Sequence, residues 1–443
     1  MTRTPSNVSL AHMQESPEIG SRAGEPTPRR LSLHMGRRGA FAVAALTLSV
    51  GMLGTTLPTP LYSLYSQKFG FSVLIVTVIF ATYAAGVISS LLLFGRLSDQ
   101  IGRRPVLLGA LTVAGIGAGC FLVADGLPML LIGRAIAGLA AGIFTGAGTA
   151  TLTDLAAPGQ RARATLIATV ANMGGLGMGP LLAGVLARWA GSPLRLVFWV
   201  YLGLVVAAAI GVLTMPEPLQ TKRHAQLRPQ RLHVPRDMRD LFSHAAIAAF
   251  AGFAVLGLFS AVSPSLLGQV LGVTSPAAVG LVVFLVFAAS AIGQAVLLPI
   301  VGQDRALPAG CVALIAGMGL LAASIGFSSL ALLVLAGLVA GLGHGLSFRA
   351  GLAGLNEKAP AGLRAEIDSS YFVVAYVGIA LPAIGDGVLT QLVGLRTAGF
   401  VFAAVVAVIA TVGLVLLARA LSRVDVPRVN EPRSVLYPGG SHA

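Results

Sequence analysis

The sequence predicts an all-α integral membrane protein of twelve transmembrane helices, arranged as two similar halves of six. Three observations carry this. Apolar runs of roughly 20 residues follow one another from Gly39 onward, each long enough to cross about 30 Å of hydrocarbon as helix. Of the 443 residues 56% are hydrophobic and only 10% are charged, against about 25% charged in an average soluble domain. The mean hydropathy is +0.86. The chain also repeats itself. Ala137 to Leu152 reads AGLAAGIFTGAGTATL, and Ala340 to Leu355, 203 residues on, reads AGLGHGLSFRAGLAGL, matching at eight of sixteen positions without a gap. The same offset carries Arg161 onto Arg364, Gly175 onto Gly378 and Gly184 onto Gly387. Repeated membrane halves commonly hold a site between them and move against each other.

Residues 1–38 are rich in Ser, Pro and Arg and lack periodicity, which reads as a disordered tail. A secretory signal would place its apolar stretch nearer the start. Helix 1 is expected over 40–62, and Pro58 and Pro60 predict a broken tip there. Helices 2 and 3, over 73–97 and 105–124, flank a short charged loop. Helices 4, 5 and 6, over 127–153, 162–187 and 194–215, complete a first domain spanning 39–215. Residues 216–243 form a basic linker. A second domain, 244–419, holds helices 7 to 12 over 244–270, 276–301, 307–327, 329–356, 365–392 and 396–419. Residues 420–443 form a second tail.

The net charge of +14 is distributed by topology. Of the 30 Lys and Arg, 24 fall on the face of the tails and linker. Only Lys68, Arg188, Arg195 and Arg396 fall on the other, and Arg134 and Arg349 lie within spans. The positive-inside rule therefore puts both tails in the cytoplasm, and we expect a bacterial-type inner membrane. Charge spread in this way suits an anionic lipid leaflet and excludes a nucleic-acid surface. Cys120 and Cys311 lie in apolar runs and read as packing residues, with no disulfide framework. A monomer is expected.

Between helices 2 and 3 the chain reads Gly95-Arg96-Leu97-Ser98-Asp99-Gln100-Ile101-Gly102-Arg103-Arg104-Pro105. Gly95 allows close helix approach, Gly102 a tight reversal, and Pro105 suits the first turn of a helix. A loop that only marked a membrane face would need its arginines, and neither Asp99 nor the glycine spacing. This stretch resembles the signature of the major facilitator superfamily, G-x-x-x-D-x-x-G-R-[KR], at every position, and the resemblance extends over about residues 39 to 419. It implies two six-helix bundles around a central solute site. It also implies that the loop closes the cytoplasmic side in the outward-open state, with Asp99 facing the start of helix 11 near Arg364 and Arg103 pairing with Asp154. Gly302-Gln303-Asp304-Arg305 is a degraded counterpart in the second half.

Arg134 in helix 4 must face water or a partner, because a charge within a span is costly. Its spacing from Gly138 and Gly142 permits a close neighbouring helix. The pattern is similar to the family's helix-4 motif, whose arginine faces the cavity and is linked to proton coupling; a structural pair is the other reading. The repeat sets Gly337 opposite Arg134. Helix 5 carries Gly175, Gly179, Pro180 and Gly184. Small residues and a proline make a plausible pivot. The run is similar to the family's antiporter motif, G-x-x-x-G-P-x-x-G-G, with Ala183 in place of one glycine.

Drug:proton antiporters of this family often carry an acid inside helix 1, and this chain has none there. Asp99, Asp154, Glu357, Glu366, Asp368 and Asp386 are all expected near helix ends. His344 in helix 10 is the remaining mid-membrane titratable group, either a packed, hydrogen-bonded residue or a proton carrier. Helices 1, 4, 7 and 10 line the cavity in this family. Cavity candidates are Thr55, Arg134, Ser260, Ser263 and His344, joined by Asn172, Tyr83 and Gln294. This set is mostly neutral and points to an amphipathic or neutral solute.

No metalloprotease, nucleophile-elbow or phosphate-loop motif is present, so no catalytic role, metal or cofactor is implied and an ion gradient must supply energy. The expected function is proton-coupled export of a small molecule. Uptake by symport on the same scaffold is the nearest alternative, and a non-transporting membrane sensor is the alternative of another class.

Overall fold

A computed structural model describes residues 35–95, 97–189, 191–219, 230–360 and 362–424. The readings made for residues 1–34, for Arg96, for linker residues 220–229 and for the tail beyond Val424 lie outside them. Among the described residues there is no strand, and twelve helices are long and apolar enough to cross a membrane. Helices 1 to 6 are Arg37–Phe69, Val73–Phe94, Arg103–Leu122, Leu127–Leu155, Arg161–Trp189 and Pro193–Thr214. Helices 7 to 12 are Arg236–Ala261, Pro276–Val301, Gln303–Phe327, Leu330–Lys358, Arg364–Val393 and Leu395–Arg419. Large apolar side chains such as Trp199 (62% exposed), Ile210 (59%) and Val408 (61%) point outward. Surface of that kind on nearly every helix belongs to a multi-pass membrane protein.

Helix 7 is the most enclosed of the twelve, and helices 6 and 12 are the least. Pro58 and Pro60 break helix 1, as their missing N–H groups require. The shaft stops at Thr56, a short turn covers Thr59–Leu61, and a separate tip runs Tyr62–Phe69. The structured part of helix 7 starts earlier than expected. Arg236–Met238 form a single turn and Arg239–Ala261 continue it, with Asp237 and Asp240 in the first turns, where the helix dipole favours acids. A π-helical turn over Phe144–Gly148 interrupts helix 4, and another over Gly293–Leu297 interrupts helix 8.

The repeat shows in the packing. Gly138 of helix 4 lies against the Tyr83 carbonyl of helix 2, and Gly142 against Ser90. Their counterparts in helix 10, Gly341 and Gly345, lie against the carbonyls of Val286 and Ser290 in helix 8. Helix 5 presents Gly175 and Gly179 to helix 1, and Gly177 and Gly184 to helix 8 of the other half. Pro180 lies inside this helix, which continues from Arg161 to Trp189.

Candidate functional site

A cavity of about 450 Å³ lies between the first six and the last six helices. Its lining extends to Gly95, Gln230 and Ala365 on the face that carries the loop after helix 2 and the linker, called here the basic face. Toward the far face the lining stops at Thr56, Ser260 and Ile379. Beyond them the halves meet. Gly184 rests on the Pro276 carbonyl, Gly387 rests on Leu74 and Thr77, and Gln391 Nε2 donates to Ser72 Oγ at 3.0 Å. Tyr62 and Tyr65 on the helix 1 tip are buried there as well.

Aromatic rings stand on both sides of the cavity. Phe80 and Tyr83 come from one half, and Phe253, Phe287, Phe348 and Tyr376 from the other. Tyr83 meets Tyr376 edge-on at 6.4 Å across the gap between halves. Polar side chains also line it, among them Thr55, Thr145, Thr169 and Asn172 on one side and Ser260, Gln294 and Ser369 on the other. Thr145 and Gln294 both sit on the π-helical turns, which re-aim side chains without ending a helix.

The sequence candidates divide into two groups. Thr55, Tyr83, Asn172, Ser260 and Gln294 line the cavity. Arg134, His344 and Ser263 stand behind its wall. Arg134 is 1% exposed; its Nη1 donates to the Thr55 carbonyl at 2.5 Å, and its guanidinium lies 4.6 Å over the Tyr83 ring and 5.5 Å over Phe80. The cation thus supports three lining residues from behind. His344 is fully buried, with Nδ1 2.8 Å from Ser290 Oγ and its ring against Phe253 and Phe348. Ser263 Oγ donates to the Phe259 carbonyl of the preceding helix.

Two charged residues that line the cavity were not among the candidates. Arg349 of helix 10 reaches the other half, donating from Nη1 to Thr169 Oγ1 at 3.2 Å. Asp368, near the start of helix 11, accepts from Asn356 Nδ2 at 2.9 Å. The repeat held a signal for the first: Arg349 aligns with Gly146, which also lines the cavity.

In the loop after helix 2, Arg103 is buried and paired twice, to Asp99 at 2.6 Å and to Asp154 at 2.8 Å. Asp99 is 61% exposed and makes this pair within its own half. The start of helix 11 is met instead by Gln230 of the linker. Its Nε2 donates to the Ala365 carbonyl and its backbone N–H to the Leu92 carbonyl, both at 2.7 Å. Gly102 adopts φ 107°, a left-handed value suited to glycine, and a side chain there would press on Glu217. The Glu217 carboxylate caps helix 3, accepting from the backbone N–H groups of Arg103 and Arg104 at 2.9 Å each. An acid at a helix N-terminus satisfies otherwise unpaired donors. Nothing local in the sequence marks Glu217, because it lies 113 residues beyond Arg104. Among the described residues no group of three His, Cys, Asp or Glu is placed to hold a metal ion.

Comparisons agree with this architecture. The chain resembles the structure of a bacterial homologue of the human lysosomal transporter Spinster, in an inward-facing and unoccupied conformation, with a TM-score of 0.68 at 17% identity over 87% of this chain and 98% of that one. It also resembles the human organic anion transporter MFSD10 (TETRAN), with a TM-score of 0.63 at 17% identity over 87% and 100%. Both likenesses concern the fold. A triacylglyceride transporter of Mycobacteroides abscessus is 32% identical over 42% of this chain and 34% of its own length. The chain thus spans about a third of that relative. A chloramphenicol resistance protein of Pseudomonas aeruginosa is 28% identical over 64% of this chain and 69% of its own. The family model described as Major Facilitator Superfamily matches residues 40–383. Twelve spans around a cavity open at one face, together with a family match over most of its length, establish that this chain belongs to the major facilitator superfamily.

Proposed function

We propose that the protein is a secondary transporter that exports a small amphipathic or neutral compound in exchange for protons, by alternating access. One observation supports it most: the cavity reaches the basic face and is closed at the other. With the basic face in the cytoplasm, this is an inward-open state awaiting cargo. Walls that set aromatic and aliphatic side chains beside scattered hydroxyl and amide groups suit an amphipathic solute. The names of the relatives, a triacylglyceride transporter and a chloramphenicol resistance protein, agree with cargo of that character.

In this reading residues 39–215 and 244–419 rock as two bodies. Helix 5, with Gly175, Gly179, Pro180 and Gly184 against both halves, is the pivot. Gly95, Asp99, Gly102, Arg103, Arg104 and Asp154 form the cytoplasmic latch. In the inward-open state the latch is released, in keeping with the exposure of Asp99. Thr55, Tyr83 and Asn172 contact cargo while Arg134 holds the wall. The transporter works as a monomer in a bacterial inner membrane with both tails cytoplasmic.

The test is accumulation of labelled chloramphenicol in energised everted vesicles, with and without a protonophore. Expected is accumulation in vesicles carrying the protein, collapsed by the protonophore, and reduced at least about tenfold in Asp99→Asn. That variant should retain its fold, because Asp99 is exposed and the buried Arg103 keeps its ion pair with Asp154. Gradient-driven movement out of the vesicles would replace export by import. Wild-type rates in Asp99→Asn would remove the latch assignment.

A further inference from the structure

Helices 5 and 11 close the far face in the same way, and at one buried position there the second carries an acid where the first has a methyl group. Gly184 rests on the start of helix 8, and Gly387, its counterpart 203 residues on, rests on the start of helix 2. The residue before each is Ala183 in one half and Asp386 in the other. Ala183 is fully buried, so the fold fills this place with a methyl group when only packing is required. Asp386 is 2% exposed, and neither carboxyl oxygen has a hydrogen-bond partner. Sequence reading placed it near a helix end; it lies two turns inside helix 11, which runs to Val393.

Among the described residues no neighbouring group neutralises a charge there. Helix 7, which packs along this stripe through Gly257 against the Ile379 carbonyl, has no titratable side chain between Phe250 and Ala261. In its far half helix 2 offers only Tyr83, already under the Arg134 guanidinium. Helix 12 offers Arg396, held by the Ile325 carbonyl and Ser328 Oγ. Helix 10 offers His344, held by Ser290. The helix 1 tip brings Tyr62 and Tyr65, which are neutral phenols, and Lys68, which lies over Phe69. A carboxylate enclosed without donor or cation is strongly disfavoured, so this conformation holds the group as the neutral acid.

We propose that Asp386 carries the coupling proton. The inference rests on the exporter reading above. When helices 2 and 11 part on the outer side, the Gln391–Ser72 bond breaks and water reaches the carboxylate past Thr390, whose hydroxyl is also without a partner. There a hydronium ion gives up a proton, its O–H bond breaking to leave water as the O–H bond of the acid forms. Rocking back encloses the acid, which is the state of this structure. The O–H bond then breaks and the proton leaves to water in the cavity. Ser260 offers a relay, since it lines the cavity and its hydroxyl lacks a partner. Ile379, the cavity-lining residue on the same stripe, is two turns or about 10 Å from Asp386. Proton and cargo thus occupy separate places, and the coupling passes through the rocking motion rather than through competition for one group.

Two measurements on the full chain in liposomes test this. Infrared spectra of cargo-free protein at pH 7 should show a carboxylic-acid C=O band that Asp386→Asn removes and Asp368→Asn retains. Persistence of the band in Asp386→Asn overturns the proposal whatever the cargo is. With chloramphenicol as probe, Asp386→Asn should retain counterflow, which needs no net proton movement, and lose at least about tenfold of the accumulation driven by a pH gradient. A variant that follows the gradient like wild type, or that loses counterflow as well, overturns the proposal. Absence of chloramphenicol transport by the wild type counts against the exporter reading alone, and the infrared result still decides on Asp386.

Discussion

Helices 4 and 10 are two versions of one segment, and they keep their glycines while exchanging their charges. Gly138 and Gly142 bring helix 4 against helix 2; Gly341 and Gly345 bring helix 10 against helix 8. At the first repeat position the residues are Arg134 and Gly337; twelve residues on they are Gly146 and Arg349. Arg134 is walled off and binds the Thr55 carbonyl. Arg349 reaches into the cavity and touches Thr169 of the other half. The glycines therefore belong to the shared scaffold, and the arginines to what makes the halves different.

The largest effect should come from breaking the scaffold. In Gly345→Val the new side chain runs into the Ser290 carbonyl, and in Gly142→Val into Ser90. Overpacking costs about 1–3 kcal/mol when side chains can yield, and a carbonyl cannot. Both variants should lose the monodisperse peak in size-exclusion chromatography of tagged protein, Gly345→Val more completely. Next comes Arg134→Ala. A hydrogen bond to a charged group contributes about 1.5–3 kcal/mol, so the melting temperature should fall while the peak survives, and accumulation of chloramphenicol should drop at least about tenfold. An unchanged melting temperature would separate Arg134 from the support of Thr55. The smallest effect belongs to Gly146→Ala. A side chain there meets nothing within 4 Å, and alanine favours helix by about 1 kcal/mol over glycine, so thermal stability should hold or rise. A loss like that of Gly142→Val would end the distinction between scaffold and cavity positions.

Much of this was legible in the chain. Length and hydropathy give twelve spans because a helix must satisfy its own backbone in lipid, and Pro58 and Pro60 announce the break in helix 1. The Arg103–Asp154 contact is legible only through the resemblance of the loop to the family signature, because Asp154 lies 51 residues beyond Arg103 and no local spacing joins them. Depth within the wall is a different matter. Arg134 and His344 occupy lining helices, and only the rotation of each helix about its axis sets them behind Thr55 and Phe348. Glu217 lies three residues past the end of helix 6 and Gln230 in the linker, and their partners at Arg103 and Ala365 are fixed by tertiary packing alone. Asp386 is legible only through the repeat, as the acid that stands where the first half has Ala183.

Gln230 links Leu92 at the end of helix 2 to Ala365 at the start of helix 11 by two 2.7 Å hydrogen bonds. The segment that joins the halves covalently is therefore also a tether across their mouth. Widening the entrance by drawing these two helices apart must first sacrifice one of those bonds. The span that cargo has to pass is thereby set by the connector as well as by the bundles it connects.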